Sequence, residues 1–206
     1  MTLPEPVFLE RGRTWTFASA LDWPGWCRRA KGGDEAAVGA LHDYEDRYRR
    51  VVAPAGLAPG PAALTVVGAA PGNATTDFGA PDVMAPGEDG PVTPDEAERL
   101  ALVLGACWSA LDAIAAGAPA ELRRGPRGGG RDRDAVADHV REAERTYTRR
   151  IGVRVPPRTP WPQQRERIVA GIRAAAGDAR WPVRYYVRRT AWHVLDHAWE
   201  IEDRTP

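Results

Sequence analysis

The 206-residue chain carries 28 basic and 28 acidic side chains, so its formal net charge is zero. A neutral chain has no overall electrostatic attraction to nucleic acid or to acidic membranes, and we expect neither as a partner. Hydrophobic residues make up 43% and charged residues 27% of the sequence, an ordinary globular balance. This length suits one large domain or two small ones.

The N-terminus and the two cysteines indicate a cytoplasmic protein. The sequence does not open with a charged region and an apolar run, so we expect no signal peptide, and we find no run of about 18 consecutive apolar residues that would span a membrane. Cys27 and Cys107 stand far apart and outside any CxxC pair. We expect both to be reduced and to serve as small buried hydrophobes rather than as a catalytic thiol.

The first 85 residues predict a small α+β segment. Val7–Glu10 and Thr14–Ala20 are rich in aromatic and β-branched residues and flank a glycine-containing turn, which predicts a β-hairpin. A helix follows, with Asp34 as its expected N-cap. Ala63–Ala69 is apolar throughout and predicts a third, covered strand, and Asn73–Phe78 is a candidate fourth strand.

Residues 92–206 predict a helical domain after a linker rich in proline and glycine. Thr93-Pro94-Asp95-Glu96 combines a threonine cap, proline at the first helical position and glutamate three residues after the cap. Apolar residues at three- and four-residue spacing predict helices over about 93–116, 132–151, 162–176 and 182–203. We therefore predict an α+β fold, in which an N-terminal α+β segment (residues 1–85) precedes a four-helix bundle (residues 92–206).

The fourth predicted helix carries two histidines four residues apart. His193 and His197 lie one helical turn apart, about 6 Å along the axis, so both imidazoles can reach one metal ion. Two histidines on a solvated helix face are the commoner explanation of such a pair. The stripe that they form nevertheless borders the aromatic face of Trp192 and Trp199, which lets the imidazoles reach a cleft in the bundle.

His139 stands on the second predicted helix, at the margin of its apolar face. A lone histidine there is more often a satisfied residue at the edge of a core. Together with His193 and His197 it can make a three-nitrogen site with an open position, which is typical of a catalytic rather than a structural zinc site. The remaining histidine, His42, belongs to no spacing pattern, and we expect it at the surface.

One histidine in the second helix and an HxxxH pair in the fourth resemble the DinB/YfiT-like superfamily of four-helix-bundle metalloproteins. The resemblance covers residues 93–206 and implies a divalent metal held by His139, His193 and His197. Members include bacillithiol and mycothiol S-transferases and a mycothiol-dependent maleylpyruvate isomerase, so the resemblance also implies a low-molecular-weight thiol. The preceding α+β segment departs from this pattern, and its strand–strand–helix–strand order resembles HicB-like antitoxin folds.

The identity of the metal and its acid–base partner are open choices. Three imidazoles accept zinc, nickel, iron or copper, with zinc the first candidate. Such an open site lowers the pKa of a bound water or thiol. Glu142 and Glu200, each about one helical turn beyond a histidine, are the candidate catalytic carboxylates. Each is equally well explained as a surface charge or as a group that orients an imidazole.

A glycine-rich loop at residues 125–131 precedes the second predicted helix. Its backbone N–H groups, Arg127 and Arg131 together suit an anion, such as a carboxylate of a substrate or of a thiol cofactor. A flexible linker is the simpler explanation of the same composition. The loop lacks the Lys-Ser/Thr ending of a Walker loop, so we do not expect a nucleoside triphosphate.

Two functions from different classes remain open at this point. The first is a metal-dependent enzyme of small-molecule metabolism, either a thiol S-transferase or a metal-assisted hydrolase or isomerase. The second is a non-catalytic binding or regulatory protein that acts through a protein partner. The sequence also leaves open whether the chain forms a homodimer.

Overall fold

The computed structural model describes residues 4–59, 63–125, 130–174 and 179–206. Within these ranges the chain has an α+β fold with one four-stranded sheet and seven α-helices. The strands are β1 Glu5–Arg11, β2 Thr16–Ala20, β3 Cys27–Ala30 and β4 Leu64–Pro71. The helices are α1 Asp34–Asp43, α2 Glu45–Val52, α3 Ala74–Phe78, α4 Pro94–Gly117, α5 Arg133–Thr148, α6 Trp161–Ala174 and α7 Val183–Arg204.

The sheet has the strand order β3-β2-β1-β4. β1 and β2 form the predicted antiparallel hairpin, β3 pairs antiparallel with β2, and β4 pairs parallel with β1. β3 was absent from the sequence prediction because its four residues include Arg28 and Arg29 and show no apolar alternation. Its pairing with β2, rather than its own β propensity, makes it a strand.

Two further sequence predictions for the first segment are wrong. Asn73–Phe78 is not a strand, because the Asn73 side chain accepts hydrogen bonds from the backbone N–H groups of Thr75 and Thr76 and so caps the short helix α3. β4 is not covered but lies at the sheet edge, where Val66 and Val67 are 46% and 57% exposed. An apolar run does not by itself distinguish a central strand from an edge strand.

The helix after β3 also differs from its prediction. Gly33, rather than Asp34, is the N-cap, and the Asp34 carboxylate instead binds the guanidinium of Arg11 at 2.9 and 2.7 Å. Tyr44 separates the predicted single helix into α1 and α2. The acidic side chain in the first turn still complements the helix dipole, although it does not cap the helix.

Both faces of the β1–β2 hairpin are buried. One face carries Val7 and Leu9, which belong to the same core as Leu41 of α1. On the opposite face, Phe17 makes an edge contact with the Trp192 ring of α7, with the ring centroids 6.0 Å apart. The β1–β2 hairpin therefore lies between α1 and α7, whereas β4 stays exposed.

The four long helices pack on one another, although α5 buries Glu144 and Thr148 where its apolar pattern predicted Ala143 and Tyr147. α4 contacts α5, α6 and α7, and α5 contacts α6 and α7. The Thr93 side chain accepts a hydrogen bond from the Glu96 N–H at 3.2 Å, as expected of a cap. By length and composition alone α4 could cross a membrane, but its Leu104 and Leu111 side chains are fully buried in the core. That core includes apolar residues of both predicted segments.

Candidate metal centre

Three histidines from two helices lie close together. His139 comes from α5, and His193 and His197 come from successive turns of α7. The centroid of the His139 ring lies 5.1 Å from that of His193 and 4.9 Å from that of His197, and the two α7 rings are 4.6 Å apart. One potential ligand atom from each residue lies within 4.8 Å of the others. The three side chains are therefore able to hold one metal ion.

The packing of the helices creates this convergence. The four-residue spacing places the His193 and His197 rings on one side of α7. Val136 and Val140 are fully buried, which orients α5 so that His139, at the margin of the same face, points toward α7. Nitrogens bound to one tetrahedral zinc are about 3.3 Å apart, because each Zn–N bond is about 2.0–2.1 Å. Binding of an ion therefore requires the three imidazoles to move slightly closer together.

The protonation states of His193 and His139 suit metal binding. Burial, followed by the charges of His197 and Arg189, lowers the pKa of His193 well below its ordinary value. Burial and the charge of His197 also lower the pKa of His139. Both rings are consequently neutral near pH 7, which is the form that ligates metals. Among the residues that the structure describes, the buried His193 Nδ1 atom has no hydrogen-bond partner, a cost that a bound ion or ligand can remove.

A carboxylate holds His197 in a defined orientation. The His197 Nδ1 atom lies 2.8 Å from Oε2 of Glu200, and because a carboxylate only accepts hydrogen bonds, Nδ1 carries the proton. The other nitrogen, Nε2, is then left with its lone pair for a ligand. Arg204 donates to Oε1 of Glu200 at 2.8 Å and also to the carbonyl groups of Arg123 and Arg131. The Glu200 carboxylate is thus fixed from both sides.

The two candidate carboxylates occupy different environments. Glu200 contacts a histidine of the centre, and the hydrogen bond from His197 lowers its pKa, so it is ionised near pH 7. The Glu142 side chain is 57% exposed and forms an ion pair with Arg145. In the described part of the chain, no hydrogen bond joins Glu142 to the three histidines. The geometry therefore favours Glu200 over Glu142 as a group that acts at this centre.

The two arginines predicted to bind an anion are only partly described. Arg127 lies outside the described residues, and so does most of the loop before α5. Arg131 is exposed, and its charge contributes to the lowered pKa of both His139 and His193, which places it within electrostatic range of the centre. Its role as an anion-binding residue stays a prediction.

Arg189 and Tyr147 also border the centre, and the sequence prediction gave neither a role there. The Tyr147 ring lies 5.8 Å from that of His193, and the Arg189 guanidinium lies over Tyr147 with Cζ 5.4 Å from the ring centroid. Arg189 stands four residues before His193 on the same helical stripe, which was the available signal. Its burial depends on tertiary packing and could not be predicted from spacing.

The two cysteines and His42 occupy positions that give them no part in the metal centre. Cys27 and Cys107 are free and buried, as predicted, and burial raises the pKa of Cys27 to about 11. Burial also raises the pKa of Cys107. His42 is 65% exposed and pairs with Glu45, also as predicted for a surface histidine. Neither the cysteines nor His42 contribute to the centre.

Comparison with known proteins adds no family to this geometry. No family model matches the chain, and no curated protein and no solved structure is significantly similar to it.

Proposed function

We propose that this protein is a metal-dependent enzyme of small-molecule metabolism, with one divalent ion, zinc as the first candidate, held by His139, His193 and His197. We further propose that α4–α7 form a four-helix bundle of the DinB/YfiT-like type. The observation that carries the proposal is the convergence of three imidazoles from α5 and α7 to within 4.8 Å, with one of them buried. A chance set of surface histidines does not place a neutral imidazole in the interior with its Nδ1 atom left unpartnered by the described residues.

The number of ligands favours a catalytic rather than a structural ion. The cluster contains three metal-ligating side chains among the described residues, whereas structural zinc sites use four. A bound ion with an open position acts as a Lewis acid and lowers the pKa of a water or thiol. A role in substrate chemistry therefore explains the ligand set better than a role in folding.

The protein residues around the ion have distinct tasks in this proposal. Glu200 orients His197 through its hydrogen bond and, as an ionised carboxylate, can accept a proton but not donate one near pH 7. Arg204 keeps Glu200 in place. Glu142 is the weaker candidate for an acid–base group because its hydrogen bond goes to Arg145.

A low-molecular-weight thiol is the favoured co-substrate. Both protein thiols are buried and have raised pKa values, so neither Cys27 nor Cys107 supplies a thiolate near neutral pH. If the reaction uses a sulfur nucleophile, that nucleophile must come from a second substrate. Metal-assisted hydrolysis or isomerisation is the next choice within the same class.

Metal content tests the proposal directly. Protein purified without a polyhistidine tag should contain about one equivalent of a divalent metal per chain, measured by elemental analysis. His139→Ala and His197→Ala should each lose most of this metal while circular dichroism shows an unchanged helical content. Glu200→Gln should retain the ligands but weaken metal affinity by about 10–100-fold, because His197 loses its orienting carboxylate.

His42→Ala is the matched control, since it removes an exposed histidine outside the centre. Its metal content should equal that of the wild type. Equal metal content in His139→Ala would contradict the assigned ligands, and the enzyme proposal would lose its basis.

A second candidate function is a non-catalytic binding or regulatory protein. The open edge of β4 favours it, because Val66 and Val67 offer apolar surface to a protein partner, and Phe78 of α3 is also 89% exposed. This function requires a stable protein partner and a biological effect that survives His193→Ala. Loss of the effect in that variant would favour the metalloenzyme.

A further inference from the structure

Arg189 of α7 is a largely buried arginine, and two of its guanidinium nitrogens lack a hydrogen-bond partner among the described residues. It is 6% exposed, and its Nε and Nη1 atoms are buried and unpartnered within the described part of the chain. Arg188, beside it, is also buried, but its guanidinium donates to the Glu88 carboxylate at 2.5 and 2.8 Å and to the Val83 carbonyl at 2.9 Å. A buried charge without a partner is strongly unfavourable. Arg189 therefore requires an explanation that Arg188 does not.

Two aromatic rings hold the Arg189 guanidinium beside the candidate metal centre. Its Cζ atom lies 5.4 Å from the centroid of the Tyr147 ring and 4.8 Å from that of Trp192. The same two rings lie 5.8 and 6.0 Å from the His193 ring. Cation–π attraction offsets part of the cost of burial but leaves the N–H donors unsatisfied.

The surrounding charges do not neutralise Arg189. Its positive charge acts on His193, whose pKa it helps to lower, and Arg131 acts on the same ring. Glu200 is already bonded to His197 and Arg204. Arginine charges therefore exceed carboxylate charges among these groups, and the unpartnered donors of Arg189 suit an anion from outside the chain.

We propose that Arg189 binds a carboxylate group of the substrate and holds the substrate beside the three-histidine centre, an inference that rests on the metal-dependent function proposed above. A carboxylate is planar, carries one charge and has two acceptor oxygens, which match one guanidinium. The same fork also fits two oxygens of a phosphate, so the choice rests on charge: a carboxylate brings the single negative charge that balances one arginine, whereas a phosphate brings about two. The substrate class is therefore a small carboxylic acid.

The inference predicts an unusual stability effect in the absence of ligand. Arg189→Met keeps an unbranched side chain but removes an uncompensated buried charge, so the melting temperature should rise by about 2 °C or more. Arg188→Met is the matched control, and it should lower the melting temperature because Glu88 loses its partner. An equal decrease in both variants would mean that Arg189 is a structural residue and would overturn the inference.

Binding of benzoate tests the substrate class. Benzoate and inorganic phosphate are titrated separately into the zinc-loaded full-length protein, Arg189→Met and Arg50→Met, and binding is followed by calorimetry. Arg50 is an exposed arginine of α2 and serves as the control. We expect benzoate to bind the wild type and Arg50→Met equally, and Arg189→Met at least about 10-fold more weakly, because a charge-assisted hydrogen bond is lost.

The metal content of the same preparations separates the two proposals. Full metal content with equal benzoate affinity in wild type and Arg189→Met would overturn the carboxylate site and leave the metalloenzyme intact. Tighter binding of phosphate than of benzoate, or no binding of benzoate at millimolar concentration, would also overturn it. A wild-type protein without stoichiometric metal would remove the proposed function, and the inference with it.

Discussion

Glu144 is a fully buried carboxyl group one turn beyond Val140 on α5. The indole N–H groups of Trp108 and Trp161 donate hydrogen bonds to it. Burial is the largest influence on this group and raises its pKa to about 7, although the Trp108 hydrogen bond and the charge of Arg165 act in the opposite direction. The sequence prediction did not identify this residue, because a glutamate on a helix is usually a surface charge.

The raised pKa of Glu144 predicts a defined pH dependence of stability. The folded protein binds the proton more tightly than the unfolded chain, whose carboxyl group has the ordinary pKa of 4.5. The stabilising contribution is therefore complete below pH 4.5 and is lost as the pH rises to about 7, a change of about 3 kcal/mol. Glu144→Gln should lack this dependence. Between pH 4.5 and pH 8 the free energy of unfolding of Glu144→Gln, measured by urea denaturation, should rise by about that amount relative to the wild-type value.

The exposed Glu166 on α6 provides the control for this measurement. Glu166→Gln should change the free energy of unfolding by less than about 0.5 kcal/mol at every pH. Parallel stability curves for the wild type and Glu144→Gln between pH 4.5 and 8 would show that burial does not perturb this carboxyl group.

At the level of single residues, local spacing predicted part of the site. His193, His197 and Glu200 lie on one helix, so the helical repeat alone brings them together. His139 was predicted from its place on an apolar helix margin. Arg189 was not given a role, because its burial and the absence of partners for Nε and Nη1 among the described residues both depend on how the molecule packs.

At the level of elements, periodicity predicted the long helices better than the strands. α4 to α7 begin and end close to the expected residues because long amphipathic patterns and the Thr93 cap are local signals. β3 and α3 are short. Pairing with β2 defines β3, and the Asn73 cap defines α3. Short elements carry too few residues for a periodicity to show.

The helix periodicity also predicts which side chains stabilise the fold. The apolar spacing of α4 and α7 places Trp108, Leu111, Trp192 and Leu195 on the inner faces of these helices, and all four are buried. Leu195→Ala and Leu111→Ala should each lower the free energy of unfolding by about 2–5 kcal/mol, measured by urea denaturation, because each leaves a cavity.

Leu102 of α4 is 43% exposed, so Leu102→Ala is the control and should cost less than about 1 kcal/mol. Equal losses at residues 102 and 195 would contradict the helix orientations described above.

At the scale of the whole molecule, the α+β segment and the helices share one core. Val7 and Leu41 of the first segment and Leu111 and Leu195 of the second belong to the same cluster of buried apolar residues. A contact from the sheet also reaches the neighbourhood of the centre, since Arg28 of β3 lies 3.6 Å from Asp196, next to His197. The sequence predicted an α+β fold but not this contact, because pairs distant in sequence have no local pattern.

X-ray absorption spectroscopy at the metal edge of the untagged, as-purified protein tests whether three imidazoles bind one catalytic metal ion. We expect one ion per chain with three imidazole nitrogens, at about 2.0–2.1 Å for zinc, and at least one further light ligand. His139→Ala should show one imidazole fewer in any metal that it retains. Less than about a tenth of an equivalent of metal after supplementation, or a coordination shell without imidazole, would rule out the three-histidine metal centre.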